Sequence, residues 1–109
     1  MVVTVGLIAT AIVGALAIGA VVYLAYILTV SFLKKYRKKK NSKVLAANVK
    51  DLIKNAPKMK FDDLEDDDVI LAEYDEEEDE LVQDISVAKD TDESVRKILN
   101  NNEGIVVFE

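Results

Sequence analysis

The sequence predicts a mainly α membrane protein. It would have a single-pass transmembrane helix over 1–33, a short juxtamembrane amphipathic helix within a basic segment at 34–60, and an acidic, weakly structured or small α+β segment at 61–109. Three observations predict this. Val2 through Leu33 is 32 residues without Asp, Glu, Lys, Arg, His, Asn or Gln; residues 34–60 then carry a net charge of +10; residues 61–109 carry −16. The overall charge of −6 therefore conceals a strongly dipolar chain.

The uncharged run comes first. As one helix rising about 1.5 Å per residue it would be roughly 48 Å long, against a bilayer core of about 30 Å that needs about 20 residues. A cleaved secretory signal fits less well: no basic residue precedes the run, and although Ala15 to Ala17 reads as a small-x-small site, 16 further uncharged residues follow it. Lys34, Lys35, Arg37, Lys38, Lys39, Lys40 and Lys43 all flank the C-terminal side. The positive-inside rule then places the N-terminus outside and the C-terminus in the cytoplasm.

Within the run, Gly6, Thr10, Gly14 and Ala17 share one helical face, and Ala11, Ala15 and Gly19 lie nearly opposite. Small residues at this spacing let membrane helices approach closely, so other transmembrane helices, in a homo- or hetero-oligomer, are expected on these faces. Either Tyr23 and Tyr26 lie deeper than headgroup level and find partners within a bundle, or the bilayer ends near Tyr26 and "ILTVSFL" continues as an apolar helix into protein; both imply neighbours.

The basic cluster "KKYRKKK" is denser than a topology signal requires. Clusters of this kind just inside a span attract anionic lipids, so Lys34, Lys35, Arg37, Lys38, Lys39 and Lys40 are the expected lipid-binding residues. From Asn41 to Pro57 the pattern reads as an amphipathic helix, with Leu45, Val49, Leu52, Ile53 and Ala56 on one face and Lys43, Lys50 and Lys54 opposite. Pro57 would stop it near Ala56. Its apolar face would lie either in the headgroup boundary or in a partner's groove.

Phe61 to Glu80 holds 13 acids in 20 residues. Like-charge runs are usually solvated interaction tails, and here Asp66, Asp67, Asp68, Glu76, Glu77 and Glu78 are the expected contacts for a basic protein surface. Regularly spaced carboxylates could also imitate a nucleic-acid backbone, whereas direct nucleic-acid binding is not expected. "VILAEY", residues 69–74, interrupts the acids with a β-compatible hexamer. Asp90 and Glu93 have capping-box spacing for a helix carrying Val95, Ile98 and Leu99, and "GIVVFE" at 104–109 reads as a strand after a turn.

Without His or Cys, the chain lacks thiol and imidazole nucleophiles, disulfides and the usual zinc ligands. It has no glycine-rich phosphate loop, and "DDLEDDD" lacks the spacing of a calcium loop. No catalytic residue, cofactor or dedicated metal site is expected. The functional expectation is a non-enzymatic membrane adaptor or accessory subunit presenting an acidic cytoplasmic module to a basic partner. The alternative is a small oligomeric membrane-active protein of the holin or viral type.

Overall fold

The uncharged run does not form one helix. In the computed structural model, which describes residues 2–54 and 64–108, helix α1 covers Val2–Ala17 and ends in a turn at Gly19 with φ +76°. The N–H of Ala20 bonds the Ala15 carbonyl at 2.9 Å and that of Gly19 bonds Leu16 at 3.3 Å. This is the paired closure that a left-handed glycine permits after a helix's last turn. Val21, Val22 and Tyr23, β-branched and aromatic, then favour extended backbone and open strand β1, Val21–Leu24.

Of the nine residues of the run that follow β1, five form a connection and four begin a second helix. Helix α2, Val30–Lys35, begins where the Thr29 hydroxyl accepts the Phe32 N–H at 3.2 Å, an N-cap worth about 1 kcal/mol. Strand β2 is Lys43–Asn48 and helix α3 is Val49–Ile53. Strand β3 is Val69–Asp75, β4 is Glu80–Leu81 and β5 is Ile85–Ala88. Helix α4, Glu93–Asn101, is capped by the Asp92 carboxylate accepting the Val95 N–H at 3.0 Å, and β6, Ile105–Phe108, follows.

The strands form one mixed sheet in the order β1-β5-β3-β2-β6, with β4 paired to β3. Only β1 and β5 run parallel, from Val21 against Ile85 to Leu24 against Ala88; an isolated parallel bridge, Leu28 with Thr91, continues that direction. The other pairs are antiparallel. Side chains alternate between two apolar layers. On one face Ile8, Ile12 and Ala15 of α1 and Leu52 of α3 pack with Leu45, Ile70, Ala72 and Ile85. On the other, Leu33 of α2 and Val95 and Leu99 of α4 pack with Val44, Ala46, Val69 and Leu71. Each fully buried Ile or Leu contributes roughly 1.5–3 kcal/mol.

Several expectations are corrected. The fold is α+β rather than mainly α, and no described helix is long and apolar enough to cross a membrane. The single-pass span, and with it the N-outside, C-cytoplasmic placement, is not supported. The physical reason is that a short chain can divide an apolar run between both faces and one edge of a sheet, so no single core need surround it on all sides.

The predicted amphipathic helix is half strand. Leu45 belongs to β2, while Val49, Leu52 and Ile53 belong to α3, yet all four contact the same apolar layer. "KVLAAN" is buried because the sheet is covered on both faces, and a short apolar run does not distinguish a buried strand from a buried helix. Ala56 and Pro57 lie outside the described residues, as do Lys58, Lys60, Phe61, Asp62 and Asp63. The β-compatible hexamer does form β3, and the last helix begins two residues later than the Asp90 spacing suggests.

Gly6, Thr10, Gly14 and Ala17 lie toward solvent on α1: Thr10, Gly14 and Ala17 are exposed and Gly6 is half-buried. Ala15 is buried, Ala11 half-buried, and Gly19 is in the turn. The residues that pack α1 onto the sheet are Ile8, Ala9, Ile12 and Ala15.

Candidate functional site

An acid placed in the middle of an apolar strand must find donors or lose its charge. Glu73, on central strand β3, has no exposure, and its carboxylate accepts the backbone N–H of Lys38 at 2.9 Å and of Lys39 at 2.8 Å, the Ser42 hydroxyl at 2.6 Å and the Gln83 amide at 2.7 Å. Burial works to raise its pKa, but the Ser42 hydroxyl, the two backbone N–H groups and Gln83 outweigh it, and the carboxyl is held below its ordinary value. Residues 36–42 of the basic segment are therefore a loop wound around a buried carboxylate.

Tyr36 anchors the start of that loop. Its hydroxyl is 3.2 Å from the Asp84 carbonyl oxygen and 3.3 Å from both the Leu71 carbonyl oxygen and Ser86 Oγ. Burial pushes the phenol above its usual range, with the Ser86 contact acting the other way. Arg37 donates to the Phe108 carbonyl at 2.8 Å, tying the loop to β6. Lys34 and Lys35 are exposed in the last turn of α2, and Lys40 is exposed beside Asn41, which has φ +70°. The six predicted lipid-binding cations thus occupy a helix end and a tight loop rather than one continuous face.

Beyond Glu73, the described part of the acidic run meets this loop where β3 ends. Between β3 and β4, Asp75 Oδ1 accepts the N–H of Glu77 at 3.0 Å, shaping the turn 76–79, and the Tyr74 hydroxyl contacts the Asp79 carboxylate. Lys39 pairs with Asp75, and Lys43 with Glu76 at 2.6 Å. The Lys39 ammonium holds the Asp75 carboxyl below its usual range, and Asp75 holds the ammonium above its own. Glu76, Glu77 and Glu78 are exposed and together on this turn.

Asp66, Asp67 and Asp68 are elsewhere. They precede β3, so its seven residues, at about 3.3 Å each, hold them roughly 20 Å away. Asp66 and Asp67 are exposed; Asp68 is buried, accepts the Glu65 N–H at 2.9 Å and pairs with Lys89 at 2.5 Å. The sheet splits the predicted partner-binding set into two groups of three, one at each end of a buried strand.

The family-model, curated-protein and solved-structure comparisons return no significant match. Function must be argued from this chain alone. Among the described residues no three potential ligands gather to hold a metal ion. Glu73 itself was missed by sequence reasoning. Its signal is a lone acid inside an apolar hexamer that needs donors; what the sequence hides is that two of the donors are main-chain groups of lysines.

Proposed function

We propose that this protein is a small non-enzymatic binding module that presents the acidic β3–β4 turn to a basic protein surface. One observation carries the reading: Glu76, Glu77 and Glu78 are exposed on a turn whose backbone is already held by Asp75 and by the Tyr74–Asp79 contact. A preorganised turn spends less ordering entropy on binding than a loose acidic tail. Of the cations beside it, Lys39 is held by the buried Asp75, whereas Lys43 pairs with the exposed Glu76, and such exposed pairs are individually weak. A partner's arginine or lysine can therefore replace Lys43 at small cost.

The test uses the full chain and an immobilised arginine- and lysine-rich peptide as probe. Glu76→Gln/Glu77→Gln/Glu78→Gln should weaken binding about tenfold at low salt. The charge-matched control Glu65→Gln/Asp66→Asn/Asp67→Asn, at the other end of β3, should change it less than about threefold. Equal losses in the two variants, or no binding by the parent chain, would reject the turn as the site.

A further inference from the structure

The two edges of the sheet are treated differently. At one end β6 has all four residues half-buried, and Arg37 covers its last carbonyl. At the other end, among the described residues, β1 is bounded by β5 on one side only, and Val22 and Tyr23 are 48% and 54% exposed. Five of the six large apolar side chains exposed on the described surface lie between residues 18 and 27: Ile18, Val22, Tyr23, Tyr26 and Ile27. Edge strands are normally shielded by lysines, prolines or bulges. Residues 18–33 contain no charge and no proline.

We infer that β1 pairs antiparallel with β1 of a second copy of this chain, joining two sheets into one across a two-fold axis. The strand itself carries no charge, and the charges bordering its cleft are of both signs, Lys35 and Lys38 with Asp84, so neither a basic nor an acidic partner is favoured, whereas such an edge is complementary to itself. Repulsion between the two acidic turns does not oppose the pairing. The acidic turn belongs to β3, two strands in from the edge, so at about 4.8 Å per strand the two turns would be about 24 Å apart, well beyond a Debye length of about 8 Å at physiological salt.

Area also matters. A stable interface buries about 800 Å² per partner, more than four residues supply, and so the flanking Ile18, Tyr26 and Ile27 must be covered too. They adjoin both faces of the edge: Tyr26 borders a cleft with Val22 and stacks edge-on against Phe32 with centroids 5.6 Å apart, while Ile18 borders Ala11, Ala15 and Ala20 on the α1 side.

Directly opposed residues of antiparallel strands point to the same face. The axis must then pass through a residue rather than between two, at Val22 or at Tyr23. That residue would oppose its own copy at a Cα separation of about 4.5–5.5 Å, within disulfide range. Because the chain has no cysteine, single-cysteine variants report this without background.

The experiment compares Val22→Cys, Tyr23→Cys and, as an exposed position away from the edge, Leu7→Cys, under mild oxidation, alongside sedimentation equilibrium of the parent chain and of Tyr23→Lys. The expected result is a parent dimer, efficient disulfide formation at 22 or 23 and not at 7, and a dimer constant weakened at least about tenfold in Tyr23→Lys. Tyr23→Lys should keep the parent's circular dichroism, since the side chain is exposed. A parent chain that stays monomeric, crosslinking that is no better at the edge than at position 7, or open-ended assembly instead of a dimer would each overturn the inference. None of these readouts involves the basic probe, so this edge and the acidic turn fail independently.

Discussion

Glu73 has no exposure, and its charge is held by two N–H groups and a hydroxyl from the loop and by the Gln83 amide. Glu73→Gln keeps the volume but turns an NH2 toward groups that are themselves donors, leaving buried donors unmatched at about 2 kcal/mol. A lower urea midpoint at neutral pH would register it. Because folding lowers the Glu73 pKa, protonation favours the unfolded chain. The contribution is complete above the ordinary value near 4.5 and is lost as pH falls through the lower folded value. Asp75 acts in the same direction. The difference in stability between parent and Glu73→Gln should therefore shrink below about pH 4.5, as thermal melts across pH would reveal; a constant difference would mean that the carboxylate's charge is not what the loop holds.

Individual elements were legible wherever local chemistry decided them. β3 and β6 are apolar stretches beside charges or a turn, and Gly104, at φ +88° with the Asp51 carboxylate where a Cβ would be, is a glycine that marks the start of β6. Other elements depended on partners distant in sequence. "KVLAAN" has the alanines of a helix but pairs with β3 and β6 on its two sides. The break at Gly19 had a readable signal, a glycine followed by Val-Val-Tyr, outweighed by the length of the uncharged run. In the candidate site the acids of the turn were readable, whereas their separation from Asp66–Asp68 followed only from burying the hexamer between them. Helix α1 supplies a direct check on which of its faces is packed. A Cβ added at Gly14 meets nothing within 4 Å, so Gly14→Ala should stabilise the protein by about 0.5–1 kcal/mol through helix propensity. A fall in melting temperature would place that face against protein.

Over the whole molecule, the three charge segments contribute to one sheet: β1 comes from the uncharged run, β2 from the basic segment and β3 to β6 from the acidic one. A fragment of residues 61–109 would lack β2, the described neighbour of β6, and both helices α1 and α2 that cover the sheet. We expect it to show no cooperative thermal transition and poor amide dispersion in a proton–nitrogen correlation spectrum; a dispersed spectrum would mean that the acidic segment folds alone.

The same strand order sets a clock. β1 finds β5 through Val21 with Ile85, and β2 finds β6 through Val44 with Phe108, each a separation of 64 residues. Loops of that size must close before their contacts reward the closure, and chains dominated by distant pairings fold on the order of milliseconds to seconds where helical bundles take microseconds. Throughout that interval the uncharged run has neither sheet face to cover. The dangerous period for this protein is its own assembly, when the residues that later form α1 and β1 are the most adhesive part of an otherwise strongly charged chain, and a chaperone that shelters apolar segments would act there.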